Sequence, residues 1–257
     1  MTRVKLPLCW AVVSLGLGVL GNAQSPTLIF PQIADGGGFR LEIILTNPTP
    51  EVETGSISFK ASTGDPLPLV INGSEAVSIS YSISPGGVFK VQTDGVGEVV
   101  KSGYATVTSD NAESQITGTV IYNLNGMDIS VASAPISTEF HVFVEKDELS
   151  NSGVAFLNPN DEAISILAIL LDEIGEEIER VSVDLSPGQH HAQFVDQLFS
   201  RVGPTLRGSL QAFSEGEFCL IGFRQRSNGA LATLSGSPKA FEPLPDTGDG
   251  EFPDDDY

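Results

Sequence analysis

Residues that commonly carry chemistry are scarce in this chain. Its 257 residues include two cysteines, one tryptophan and three histidines, and 13 basic side chains stand against 33 acidic ones. Each shortage removes a class of explanation. Cys9 falls in an apolar leader, so Cys219 is left alone, no internal disulfide is possible, and the fold must rest on apolar burial. Trp10 falls in the same leader, which leaves Tyr81, Tyr104, Tyr122, Tyr257 and the phenylalanines as the aromatic supply for any sugar platform. A net charge of -20 repels phosphate backbones and anionic headgroups, so nucleic acid and membrane surfaces are poor partners. The sequence contains no G-x-S-x-G elbow, phosphate loop, dinucleotide fingerprint or CxxC pair, and no cofactor, metal or catalytic residue is assigned.

What is present begins with an export signal. Arg3 and Lys5 precede the apolar stretch Leu6 to Leu20, and the small residues Gly21, Asn22 and Ala23 offer cleavage before Gln24. The apolar stretch is shorter than the roughly 20 residues that span a bilayer. Residues 1–23 therefore read as a signal peptide, with the product secreted (extracellular or periplasmic) and not inserted in the membrane after signal removal.

The rest of the chain repeats its punctuation. Asn47-Pro48 recurs as Asn158-Pro159, and a glycine follows each proline at the same interval, Gly64 and Gly175. Ser84-Pro85-Gly86 recurs as Ser186-Pro187-Gly188. Asn125-Gly126 recurs as Asn228-Gly229, with Pro135 and Pro238 at equal distances beyond. Turn residues at matched spacing imply matched backbone geometry in two copies. Between them, Gly103 to Thr108 and Gln115 to Tyr122 alternate as half-buried strands do, and Asn125-Gly126 is the favoured pair for a tight hairpin, joining a strand ending near Leu124 to one over Met127–Ala132.

The stretch Glu162 to Val183 is ambiguous taken alone, because Ile164, Leu167, Ala168, Leu171, Ile174 and Ile178 suit one helix face. The repeat decides it. Gly175 occupies the place of Gly64 in Ser62-Thr63-Gly64-Asp65-Pro66, a turn between strands, so strand, turn and strand are expected. A single short helix is expected over Ala192–Phe199, where Phe194, Val195, Leu198 and Phe199 have helical spacing, whereas the first copy has the strand-like Phe89 to Gln92.

The organisation is thus a signal peptide (1–23), β-sandwich domain 1 (24–136), β-sandwich domain 2 (137–240) and a disordered acidic tail (241–257). Leu244-Pro245-Asp246-Thr247-Gly248 matches the sortase pentapeptide, but no apolar segment and basic tail follow it, so it reads as accidental. The tail carboxylates Asp246, Asp249, Glu251 and Asp254 to Asp256 lack the spacing of a calcium loop. His190-His191 reads as a surface pair flanking a turn, since adjacent strand residues point to opposite faces. Cys219 reads as a small core residue, and Phe213, Phe218 and Phe223 as core filling.

With Asp35 to Gly38, Leu45-Thr46-Asn47-Pro48, Phe156-Leu157-Asn158-Pro159, the two Ser-Pro-Gly turns and Phe194 to Phe199 in view, the chain resembles uncharacterised secreted bacterial tandem β-sandwich (immunoglobulin-like) proteins common in acidobacteria. The resemblance spans residues 27–238 and implies fold and export, with no catalytic residues to transfer. The expectation is an all-β protein of two tandem immunoglobulin-like antiparallel sandwiches, non-enzymatic, acting in cell-surface or extracellular interaction with a protein or a cell-surface glycan. Carbohydrate binding is the first alternative, favoured by a flat row of exposed aromatics. A hydrolase is the second, requiring His190 or His191 to meet Asp184, Asp196 or a serine at hydrogen-bond distance in a pocket.

Overall fold

The computed structural model describes residues 27–124 and 126–238. The expected signal peptide (1–23), the expected disordered tail (241–257) with its pentapeptide at 244–248, and Asn125 lie outside the described residues. The first half comprises β1 (Thr27–Asp35), β2 (Phe39–Thr46), β3 (Glu53–Ala61), β4 (Leu69–Ile71), β5 (Ser74–Ala76), β6 (Ser78–Ile83), β7 (Val88–Gln92), β8 (Lys101–Ser109), β9 (Thr117–Leu124) and β10 (Met127–Ala132). Two antiparallel sheets result, in the orders β1-β8-β3-β6 and β10-β9-β2-β7, with β4 and β5 a separate hairpin. Strand alternation makes them a sandwich. Leu41, Ile43 and Leu45 of one sheet and Ile57, Phe59 and Val107 of the other are buried in a single core.

The second half comprises β11 (Ser137–Lys146), β12 (Ser150–Leu157), β13 (Ile164–Asp172), β14 (Glu177–Leu185), β15 (His190–Phe194), the helix α1 (Val195–Leu198), β16 (Leu206–Arg226), β17 (Leu231–Ser235) and β18 (Ser237–Pro238). Its pairings follow the same scheme. The stretch Leu206–Phe213 of β16 lies between β11 and β13, which pairs β14, as β8 lies between β1 and β3. The stretch Cys219–Arg226 lies against β12, which pairs β15, and against β17, as β9 lies between β2 and β10. One long strand therefore serves both sheets where the first half uses two strands. Phe140, Val142, Phe156, Ile166, Ala168, Leu170, Leu210 and Phe218 fill its core.

Residues 162–183 form β13 and β14 with a turn at Gly175, as the glycine spacing indicates. Asp172 Oδ1 accepts from the amides of Ile174 (3.0 Å) and Glu176 (2.9 Å), which closes that turn. The expected helix over Ala192–Phe199 is shorter than the spacing suggests. Ala192 and Phe194 remain paired with Ala155 and Gly153 of β12, and only Val195–Leu198 turn helical, with Val195 and Phe199 capping the second core.

The recurring Asn-Pro has a physical cause. Asn47 is fully buried, and its Nδ2 donates to the carbonyls of Glu51 (2.7 Å), Ile83 (3.1 Å) and Ser84 (3.3 Å), while its Oδ1 accepts from Thr49 N (2.9 Å). Asn158 does the same with Glu162 (2.8 Å), Leu185 (3.1 Å), Ser186 (3.1 Å) and Asn160 N (2.9 Å). Each asparagine ties the end of one strand to the Ser-Pro-Gly turn, so the two motifs travel together. Gly86 and Gly188 in those turns have φ of 67° and 65°, the left-handed region that disfavours a Cβ. A further matched pair is Gly103 and Gly208. A Cβ at either would lie 1.9 Å from a neighbouring-strand carbonyl, Lys60 O or Leu171 O.

The halves meet through one sheet of the second. β12 is buried on both faces: Val154 and Phe156 enter the second core, while Ala155, with Ile221 and Phe223 of β16, joins the first-half core. Leu157 and Cys219 pack with Ile29, Tyr104 and Ala134. A sheet covered on both faces reads as the near-continuous apolar run Gly153 to Leu157 rather than as alternation. Each large side chain buried there contributes about 2 kcal/mol. The Gly64 and Gly188 turns abut, since a Cβ at Gly64 would lie 3.0 Å from Gly188 O. Among the described residues no helix is long and apolar enough to cross a membrane.

Candidate functional site: an uncharged groove at the junction

Where β1, β2 and β9 of the first half face β12, β15, α1, β16 and β17 of the second, a groove of about 240 Å³ remains open. Its buried lining residues are Ala34, Tyr122, Gly153, Val154 and Phe223, with Phe39, Phe194 and Leu231 half-buried around them. The polar lining is four side-chain amides, Gln32, Gln193, Gln197 and Gln225. These are four of the nine glutamines in the chain, gathered from both halves. Among the described residues no Asp, Glu, Lys, Arg or His lines the groove, although the whole chain carries -20.

Local structure explains the arrangement. Gly153 lets β15 approach, because a Cβ there would stand 3.2 Å from Gln193 O and 3.5 Å from the Phe194 ring. The amide of Phe194 donates to Gln197 Oε1 at 3.2 Å, which holds α1 against the end of β15. Tyr122 donates its hydroxyl to Gln32 O, and complete burial pushes its phenol well above the usual range. Gln32 Nε2 donates to Ile33 O at 3.2 Å, while its Oε1 is buried with no partner. The amides of Gln193 and Gln225 have no hydrogen-bond partner among the described residues. Beside the groove, Asp196 is held by Lys146 Nζ (2.8 Å) and Asn151 Nδ2 (3.0 Å), and the Lys146 contact is the main cause of its lowered pKa. Those charges are mutually neutralised outside the lining. A second hollow of about 700 Å³, lined by Asn160 to Ser165 and Ser214 to Gly216, is acidic and has no aromatic ring.

The histidines are placed differently from the surface pair that the sequence suggests. His190 is 3% exposed, inside the junction, because the first residue of β15 bonds through its amide to Ser62 O (2.9 Å) in the first half. Its Nδ1 lies 3.1 Å from Ser62 Oγ, its ring lies 6.4 Å from that of Tyr104, and its Nε2 is buried without a partner. Burial, reinforced by the neighbouring His191, pushes its pKa down to about 4. A serine does sit at hydrogen-bond distance, but no carboxylate orients the imidazole, and Asp184 is exposed on β14 while Asp196 is engaged with Lys146. His190 does not line the groove. Ser62 and His190 therefore form a buried junction contact rather than a nucleophile and base facing substrate.

Other expected positions divide. Cys219 is fully buried, and desolvation pushes its thiol up to about 12, which suits a core residue and not a nucleophile. Phe218 is core and Phe223 packs across the junction, but Phe213 is a half-buried residue on the outer face of its sheet. Phe143, 43% exposed, is the one aromatic among the exposed large apolar side chains described, so no flat aromatic row is present among the described residues. Glu177 pairs with Arg180, which lowers its pKa, and Glu173 lies 3.9 Å from Arg207. No cluster of three His, Cys, Asp or Glu suited to a metal occurs among the described residues. No local sequence pattern marks the groove glutamines as a site. The visible signal was the divergence of Ala192–Phe199 from the first copy, which contains Gln193 and Gln197.

No protein-family model and no curated protein sequence matches the chain.

Proposed function

We infer that the protein is an exported, non-enzymatic binding protein of the cell surface or extracellular space, whose ligand seats in the groove between the halves. The observation that carries this reading is the lining itself, with aromatic rings from both halves, the free carboxamides of Gln193 and Gln225, and Tyr122, whose hydroxyl is tied to Gln32 O, as the one ionisable side chain among the described lining residues. Export rests on Arg3, Lys5 and the apolar run Leu6 to Leu20. Two domains related by duplication, 24–136 and 137–240, fit the shared turn spacing and the shared pairing order. Kinship with the secreted bacterial tandem sandwich proteins rests on the same turn motifs and belongs to this proposal.

The experiment is co-sedimentation of the mature protein with native cell-envelope preparations, comparing wild type with Ala192→Trp. Ala192 is an exposed groove residue, so the indole fills the groove without disturbing a core. Envelope binding by wild type and its loss in the variant, with an unchanged circular dichroism spectrum, supports the reading. Equal binding by both proteins places the binding surface elsewhere.

A further inference from the structure

We propose that the groove accepts one ring of an uncharged saccharide, the terminal unit of a neutral glycan chain, an inference that rests on the groove being the ligand site. Charge supplies the first step. An anionic ring would approach a chain of net charge -20 and find no cation in the lining, and a cationic one would find no carboxylate there to pair with. A neutral ligand meets neither penalty.

The polar groups give the second step. A carboxamide presents two N–H donors and an acceptor oxygen on one planar group, and a sugar hydroxyl both donates and accepts. Gln193 and Gln225 are free to make such bonds. The apolar side is supplied by Phe39, Phe194 and Phe223, whose ring faces suit the C–H face of a pyranose.

Size gives the third step. A volume of about 240 Å³ falls below the roughly 300–1,000 Å³ of sites for drug-sized ligands, which limits the bound unit to about one ring. An extended peptide is the competing neutral occupant. Peptides are held chiefly by main-chain pairing along an open strand edge, whereas the polar surface of this groove is dispersed side-chain amide.

The test is a titration of the nitrogen-15-labelled mature protein, following side-chain amide resonances. The probes are trimers of glucose in β-1,4 and α-1,4 linkage, a trimer of N-acetylglucosamine, a trimer of galacturonic acid and a blocked uncharged tetrapeptide, all at millimolar concentration. The expected result is that a neutral trimer shifts the carboxamide signals of Gln193, Gln197 and Gln225, the galacturonate trimer does not, and Gln193→Ala with Gln225→Ala weakens binding about tenfold. Silence with all three neutral trimers, or shifts produced by the tetrapeptide instead, overturns the saccharide assignment. If Ala192→Trp still abolishes envelope binding in that event, the groove remains the site and only the ligand class falls. If Ala192→Trp binds the envelope normally, both readings fall together.

Discussion

The sheet β1-β8-β3-β6 in the first half and β11-β16-β13-β14 in the second share a pairing order but differ on their outer surfaces. Gly103 opposite Ala61 and Gly208 opposite Asp172 fix the correspondence. From that register Ser56 matches Leu167, Ser58 matches Ile169, Lys60 matches Leu171 and Thr108 matches Phe213. The first outer face is a hydroxyl ladder, with Ser56 between Ser80 and Thr108, and Ser58 between Ser78 and Thr106. The second is mixed, with the apolar Leu167, Ile169 and Leu171 of β13 set among Ser182, Arg180, Gln211 and Ser209, and Leu167 and Phe143 are 38% and 43% exposed on it. The other sheet of each half, β10-β9-β2-β7 and its counterpart built on β12 and β16, differs as well. Thr46, Thr117 and Thr119 of the first half correspond to Leu157, Cys219 and Ile221 of the second, which are buried against the first half. Inner positions and turns set the frame in both halves, while outer positions are free to specialise, and the second half has used that freedom to seat the first and leave a groove.

The comparison is broken most severely by removing what the halves share. Gly103→Ala and Gly208→Ala each place a methyl 1.9 Å from a carbonyl oxygen. Each should cost about 4 kcal/mol or prevent folding, and urea unfolding should give similar losses for the two. Asn47→Ala and Asn158→Ala remove matched sets of three donated bonds and leave carbonyls unpaired, at a cost of about 3 to 4 kcal/mol each. A large loss in one half and a small one in the other would show that the staples are not equivalent.

His190 has no counterpart of its kind in the first half and sharpens the difference. Its folded pKa of about 4 lies below the ordinary 6.5, so the unfolded chain binds the proton more readily. The stability of the neutral form is fully present above pH 6.5 and is lost as pH falls from 6.5 towards 4, by about 3 kcal/mol in all. Chemical denaturation at pH 6.5 and pH 5, above most carboxylate titration, should show this decline in wild type and its absence in His190→Asn. The smallest effect is expected on the free outer faces. Ser56→Leu and Leu167→Ser should each move stability by no more than about 0.5 kcal/mol, read from the denaturation midpoint.

The strand and turn frame was legible because turns are local. Gly175 and Gly64 declared one backbone requirement twice, enough to choose strands over a helix that the apolar spacing of Ile164 to Ile178 would have allowed. The junction was not legible in that way. Alternation shows that one face of a strand is buried, but not that Leu157 and Cys219 on the other face are buried as well, and the unbroken run Gly153 to Leu157 was the available hint. The burial of His190 is hidden from local pattern for the same reason, since it depends on Ser62 and Tyr104, far away in sequence. Phe213 looked like core because phenylalanine usually is, yet Ala212 beside it holds the inward position. The groove needs Gln32 and Gln225 brought together from opposite halves, which no local pattern announces.

The groove exists because the outer face of the β12–β16 sheet is closed against the first half. The most direct measurement is a nuclear Overhauser experiment on the methyl-labelled protein at neutral pH. It should give a cross-peak between the methyl groups of Ile29 and Leu157, which share one buried cluster. Loss of that cross-peak, with the contacts inside each core intact, would contradict the account by leaving two sandwiches and no groove between them.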